Sequence, residues 1–261
     1  MLLNHWYYIS HIKYLNIIKK IISGYMRIDL HVHTNHSADA LHDIKQMILK
    51  AKQKLIDAIA ITDHNKLFSL TKAKELSKQY KIKIIPGIEI GKLGYINHIL
   101  ALNIDSIPKS RNIHEIIEYV EDEGGITIAP HPFSKIGFKD FEQYKFHAVE
   151  RINGVNWLCN RRFKATSKMP QVANSDAHAT YMLGYTYTEI DHADSIEQIL
   201  ENIRKGLCKP KGTAIPTYLT MRLALTLSLV KSIQQFLCMK TESFLLEDAF
   251  YLKYRGYWSR G

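Results

Sequence analysis

"RIDLHVHTNHSAD" occupies residues 27–39, and its reading decides how the rest of the chain is understood. A strand sends successive side chains to opposite faces, so Ile28, Leu30 and Val32 share one aliphatic face and Asp29, His31 and His33 share the other. The aliphatic face is suited to lie beneath helices. An acid and two imidazoles on a strand fit for burial need polar partners, because an unpaired polar group costs free energy on leaving water.

Further strand-like apolar runs fall near 57–62, 82–90, 96–102, 126–129, 147–152 and 171–175, with helical periodicities around 41–54, 69–80, 112–123 and 158–168. Strand alternating with helix reads as βα units around parallel strands. The number of units favours a closed or distorted α/β barrel over an open doubly wound sheet. A short strand near 185–190 precedes a helix from about Ser195 to Lys205, and the stretch holding Pro210, Gly212 and Pro216 reads as a linker. Residues 217–239 then read as an amphipathic helix. The expected division is an extension over 1–25, a domain over 26–212 and a helical extension over 213–261.

At 261 residues, 46% hydrophobic and 23% charged, the chain has the make-up of a globular protein with a sizeable core rather than of a disordered one. Three widely spaced cysteines, Cys159, Cys208 and Cys238, argue against a disulfide framework or thiolate zinc site and point to a cytoplasmic compartment. The apolar run in 1–25 is broken by His11, Lys13, Asn16 and Lys19, which speaks against a secretory signal and a spanning helix. That segment reads as a loosely attached helix or an upstream extension ahead of Met26. The formal charge of +10 fits attraction to anions such as nucleotides, and equally fits lysines on solvated helix faces. No G-x-G-x-x-G and no Walker A loop occurs, which weakens dinucleotide and nucleoside-triphosphate readings.

Polar residues recur at the ends of the apolar runs. His31 and His33 end the first; Asp63 and His64 end the second in "AITDHN"; Glu89 ends the third in "IIPGIEI". His98 stands in "NHILAL", His131 in "IAPHP", and Asp176 and His178 in "VANSDAH". The carboxyl ends of barrel strands meet on one rim, so these groups have a route to one pocket. Divalent cations satisfy such nitrogen and oxygen donors together, and the absence of thiolates suits zinc, manganese or iron.

The ordered set "DLHVHTNHSAD", "ITDHN", "PGIEI", "HILAL", "APHP" and "NSDAH" resembles the polymerase and histidinol phosphatase (PHP) domain family, over roughly residues 27–212. The resemblance implies a distorted seven-stranded βα barrel with up to three metal ions. Its ligand pattern falls on His31, His33, Glu89 and Asp176 for one ion, with Glu89 bridging to a second held by His98 and His131. A third would use Asp39, His64 and His178. Asp29 is then expected to orient an imidazole, and Asp63 either does the same or caps a helix.

Paired metals suit in-line hydrolysis of a phosphoester by a metal-bound hydroxide, with Glu89, Asp176 and His178 as the catalytic candidates. Lys135 and Arg161 are candidates for contacting phosphate, as are Arg151 and Arg162, since guanidinium and ammonium groups pair with it. Asn153 in "VERINGVN" either turns the chain or touches substrate. The C-terminal helix and aromatic tail could stack on bases, dimerise or pack on the barrel, the last being the expected role. The resulting expectation is a stand-alone phosphoesterase for a small phosphorylated molecule, nucleotide or oligonucleotide. An amidohydrolase, or a non-catalytic module binding metal and nucleic acid, are the alternatives.

Overall fold

The computed structural model describes residues 24–91, 97–156 and 167–233. Among them, nine strands form one sheet in the order β7-β6-β5-β4-β3-β2-β1-β8-β9. These are β1 (Tyr25–Val32), β2 (Ala58–Ile61), β3 (Lys83–Ile90), β4 (Ile99–Leu102), β5 (Ile126–Ala129), β6 (Ala148–Asn153), β7 (Gln171–Asn174), β8 (Thr186–Asp191) and β9 (Cys208–Gly212). Four helices intervene: α1 (Ile44–Gln53), α2 (Leu70–Tyr80), α3 (Ile113–Asp122) and α4 (Ile196–Arg204). Each starts where a side chain satisfies an otherwise unpaired backbone N–H: Asp43, which forms a capping box with Gln46, then Ser69, Asn112 and Ser195.

The inward side chains of β1 to β8, among them Ile28, Leu30, Ala60, Ile85, Leu100, Ile128 and Val172, form a single buried cluster. Ile199, Leu200 and Ile203 of α4 join it. Arg204 donates to the carbonyls of Gly124 and Gly125, just ahead of β5, so α4 closes the barrel at the amino ends of the parallel strands. A second cluster packs α3 and Phe138, Phe141 and Phe146 against the outer faces of β3 to β6.

The sheet curls until β7 reaches β1, giving the expected α/β barrel, nearly closed. Among the described residues one isolated backbone bridge, Val32 with Ala177, joins the end of β1 to the segment after β7. Side chains supply the rest of the seam. Asn174 Oδ1 accepts from Leu30 N at 2.9 Å, Asp29 accepts from Ser175 N at 3.0 Å, and Thr188 Oγ1 of β8 both accepts from and donates to the Ala173 backbone at 2.8 Å.

Four features differ from the expectation. First, the sheet has nine strands: beyond the seven of the expected barrel lie β8, which is the short strand expected near 185–190, and an unexpected β9, with β8 antiparallel to β1 and β9 antiparallel to β8. The supposed linker thus contains β9, and Pro210 is tolerated there because β9 is an edge strand with an unpaired side. Second, β4 runs antiparallel to both β3 and β5, whereas β1–β2–β3 and β5–β6–β7 are parallel. Third, Asp29 pairs with Ile59 and Val32 with Ile61, so β1 carries an extra residue. Such a bulge switches the alternation. Asp29 falls on the side of Val32, while Leu30 and His31 both turn inward. Fourth, β1 starts at Tyr25, ahead of Met26. The expected helix over 158–168 falls largely outside the described residues, as do 1–23. Residues 217–233 are helical, and the chain divides into compact units after Leu219.

Candidate metal centre

The strand ends carry the expected groups to one rim. His31 and His33 follow the bulge of β1, Glu89 lies in β3, and His131, Asp176 and His178 follow β5 and β7. His98 precedes β4, so a parallel β4 would have placed it at the opposite end. The reversal of β4, with Ile99 paired to Ile90, sets His98 beside Glu89. Gly91 leaves space for this ring, since a Cβ there would stand 2.6 Å from His98 Cδ2.

Glu89 is the centre of the arrangement. Its Oε1 lies 2.7 Å from His98 Nδ1 and 3.1 Å from His131 Nε2. Its Oε2 lies 2.9 Å from His64 Nδ1 and 3.4 Å from both His31 Nε2 and His33 Nε2. Asp176 Oδ1 is also 3.4 Å from each of those two nitrogens. Asp39 Oδ2 faces His64 Nε2 at 3.3 Å and His178 Nε2 at 3.4 Å. All nine sequence-derived ligand positions therefore converge.

His31 Nε2, His33 Nε2 and Glu89 Oε2 are buried and make no hydrogen bond despite these short separations. Donor atoms of His31, His33 and Glu89 lie within 4.8 Å of one another, as do those of His31, His131 and Asp176, of His64, Glu89 and His98, and of His33, His64 and His178. Buried lone pairs aimed at common points, on nitrogen and oxygen alone, fit divalent cations.

Burial drives the Glu89 carboxyl upward, but the imidazoles around it, His31 foremost, hold it well below the usual carboxylate range. Burial likewise opposes the charged form of His64, yet Asp39 and Glu89 push it up to about 10. His33 goes the other way, lowered to about 4 by burial and by neighbouring His178, and so keeps a neutral, ligand-ready ring. His178 Nδ1 meets the carbonyl of Asp176 at 2.9 Å; a carbonyl only accepts, so Nδ1 carries the proton and Nε2 faces Asp39.

Two of these residues hold unusual backbone. His131 has φ 30° and Asp176 φ 55°, a region that costs a residue with a Cβ on the order of 1–3 kcal/mol. Each is held in place: His131 N donates to Glu150 Oε2 at 2.8 Å, and Asn153 Nδ2 donates to Asp176 Oδ2 at 3.1 Å.

The remaining expectations fare differently. Asp29 closes the barrel seam instead of orienting an imidazole ring, because the bulge turns it away from the ring face; burial pushes its carboxyl up to about 7. Asp63 caps no helix, the α2 cap being Ser69. It accepts from Thr34 N, Thr34 Oγ1 and Ser37 Oγ at 2.6–2.7 Å, and Ser37 Oγ in turn stands 3.3 Å from His33 Nδ1. Asn153 is fully buried beneath the ligands, where it turns the chain by accepting from Val155 N and Asn156 N, which leaves it no face for substrate. Lys135 is exposed in the loop after His131. Arg151 is exposed and donates to Gln171 on the outside. Arg161 and Arg162 lie outside the described residues.

Sequence reasoning missed Glu150, which lies 3.2 Å from His31 Nδ1.

Several known proteins are similar to this chain. An uncharacterised protein of Methanocaldococcus jannaschii is 34% identical over 122 residues, covering 42% of this chain and 70% of that one. A phosphoribosyl 1,2-cyclic phosphate 1,2-diphosphodiesterase of Eggerthella lenta is 31% identical over 81 residues, 30% of each protein. A two-domain Bacteroides vulgatus protein containing a predicted PHP-like metal-dependent phosphoesterase superposes with a TM-score of 0.55 at 17% identity, over 72% of this chain and 65% of that one. An amidohydrolase of Chromobacterium violaceum gives 0.51 at 15% identity, over 67% and 96%. At such identities the structural matches bear on fold alone. The model of the PHP domain matches residues 29–208, well over half of the sequence, and the chain belongs to the PHP domain family.

Proposed function

We propose that the chain is a metal-dependent phosphoesterase that hydrolyses a small phosphorylated molecule, a nucleotide or a short oligonucleotide. The observation that carries this reading is Glu89, whose two oxygens face separate imidazole groups: His98 and His131 on one side, His31, His33 and His64 on the other. A carboxylate so placed suits a bridge between two cations. Divalent cations bound there would supply Lewis-acid stabilisation of phosphoryl oxygens and activate water near neutral pH.

The chain's own residues divide the work. His31, His33 and Asp176 form the floor, wholly or almost wholly buried, while Asp39 is 51% exposed and His64 28% exposed. An ester therefore approaches from the side of Asp39, His64 and His178. The buried floor excludes bulk water, which strengthens every charge interaction with a phosphoryl group. Of the catalytic candidates, His178 is the one suited to hold a proton for the departing oxygen, since burial raises the Asp176 carboxyl but the imidazoles around it, His31 foremost, keep it well below the usual carboxylate range. Lys135, on the loop after His131, is the candidate cation for an outer phosphate oxygen. The net charge of +10 favours anionic substrates, and the named activity of the E. lenta relative, over the part that matches, supports phosphoester chemistry. No described helix is long and apolar enough to cross a membrane, in keeping with a cytoplasmic location.

The test is phosphate or nucleotide release by metal-stripped protein resupplied with zinc, manganese or iron. The panel is mononucleotides, cyclic and linear diesters, short oligonucleotides, histidinol phosphate and an aryl phosphate. Metal-dependent turnover is expected, with the preferred ester defining the class. Stoichiometric metal binding without turnover on any ester would overturn the reading in favour of C–N hydrolysis or a non-catalytic binding role.

A further inference from the structure

Beneath the metal-facing side chains lies a second polar layer that the proposed chemistry does not use, made of Glu150, Asn153 and Asn174. All three are buried. Glu150 Oε1 meets Asn174 Nδ2 at 2.9 Å and His31 Nδ1 at 3.2 Å; its Oε2 meets Asn153 Nδ2 at 2.7 Å and His131 N at 2.8 Å.

The orientation of both amides follows from their other contacts. Asn174 Oδ1 accepts the backbone N–H of Leu30 at 2.9 Å, and Asn153 Oδ1 accepts those of Val155 at 3.0 Å and Asn156 at 2.8 Å. A backbone N–H only donates, so these ends must be oxygens and the NH2 ends must face Glu150. With the His131 N–H, three of the four groups on the carboxylate are donors by necessity. A carboxylate in its acceptor-only form then takes its fourth bond from His31 Nδ1–H. In the neutral ring that ligates a cation, the proton on Nδ1 leaves the lone pair on Nε2, the atom 3.4 Å from Glu89 and Asp176.

We infer that Glu150 is a positioning residue: held by Asn153 and Asn174, it fixes the His31 tautomer and the His131 backbone, and thereby sets the affinity of the cation positions served by the donor group of His31, His131 and Asp176. The same layer reaches the third member of that group, since Asn153 Nδ2 also touches Asp176 Oδ2 at 3.1 Å. One carboxylate and two locked amides thus support all three members of one ligand set. The inference rests on the metal-site reading above but not on any particular substrate.

The experiment reads metal and tautomer, without turnover. Wild-type protein loaded with zinc is examined by nitrogen-15 histidine NMR, with zinc affinity measured by chelator competition for wild type and Glu150→Gln. The expected spectrum shows His31 protonated at Nδ1 and ligating through Nε2. Glutamine turns an NH2 toward donors, so affinity at the zinc positions served by His31 and His131 should fall roughly 10–100-fold, with the position of Asp39, His64 and His178 unchanged. Glu150→Asp, which keeps the charge but withdraws it, should retain the tautomer and fall between the two. Ligation of wild-type His31 through Nδ1 would overturn the inference without any variant. So would unchanged affinity at every position in folded Glu150→Gln. Failure to find a hydrolysed ester would count against the phosphoesterase reading alone, because neither measurement uses one.

Discussion

Replacing Asp63 with alanine tests whether the turn over Thr34–Ser37 is held by this carboxylate or merely lies beside it. The carboxylate is 2% exposed and accepts three hydrogen bonds at 2.6–2.7 Å, one from a backbone N–H and two from hydroxyls. The hydroxyls of Thr34 and Ser37 can rotate toward other acceptors. The Thr34 N–H cannot, and an unsatisfied buried donor costs about 1–3 kcal/mol. Adding part of the charge-assisted bonding lost from the two hydroxyls, worth up to about 1.5–3 kcal/mol each, gives an expected loss near 3 kcal/mol. For a chain of this size that corresponds to a fall in Tm of roughly 6–12 °C. The assay is thermal and urea unfolding of metal-stripped protein, so that lost metal affinity does not enter the number. Ser37 Oγ also touches His33 Nδ1 and accepts from His64 N, so zinc content should drop as well. A loss under about 1 kcal/mol with full zinc content would refute the reasoning, since it would mean the turn holds its shape without Asp63.

His33→Ala and Glu89→Ala should each abolish metal-dependent phosphate release while circular dichroism stays native; full activity in either would rule out the centre as described. Gly91→Ala should weaken zinc binding measurably, because the new Cβ meets the His98 ring at 2.6–2.7 Å, and unchanged affinity would show that the ring moves freely. Thr188→Val keeps the shape of the side chain but leaves the buried Ala173 N–H and carbonyl unpaired, so urea unfolding should register a loss of about 2 kcal/mol. Metal uptake should release protons: in the stripped protein Asp39 and Glu89 push His64 up to about 10, so a cation must displace that proton, and affinity should climb from pH 6 to pH 8. Calorimetry in buffers of different ionisation heat would expose the absence of such release.

The candidate centre was legible because most of its residues end apolar runs, and a strand can afford buried imidazoles only where something satisfies them. What stayed hidden depended on pairing between distant segments. The β1 bulge exists only relative to β2, so strict alternation wrongly put Asp29 on the face of His31. The direction of β4 is a property of its neighbours, and "HILAL" reads alike either way, although the reversal is what brings His98 to the rim. "CKPKG" has no apolar alternation and contains a proline, so β9 reads as linker until β8 offers it an edge. Glu150 looks like any charged residue in a half-exposed strand, and only the locked amides of Asn153 and Asn174 reveal its use.

The β1–β7 seam also sets a timetable. His31, His33, His64 and Glu89 all emerge by position 89, whereas Asp176 and His178 lie some ninety positions beyond Glu89. At translation speeds of about 5–20 residues per second, roughly 4–18 s pass before the second edge exists. Throughout that interval Asp29 and Leu30 lack the Ser175 and Asn174 partners that later close the barrel. A nascent chain would therefore offer cations only an open, partial donor set, and the candidate centre is completed only when the barrel shuts.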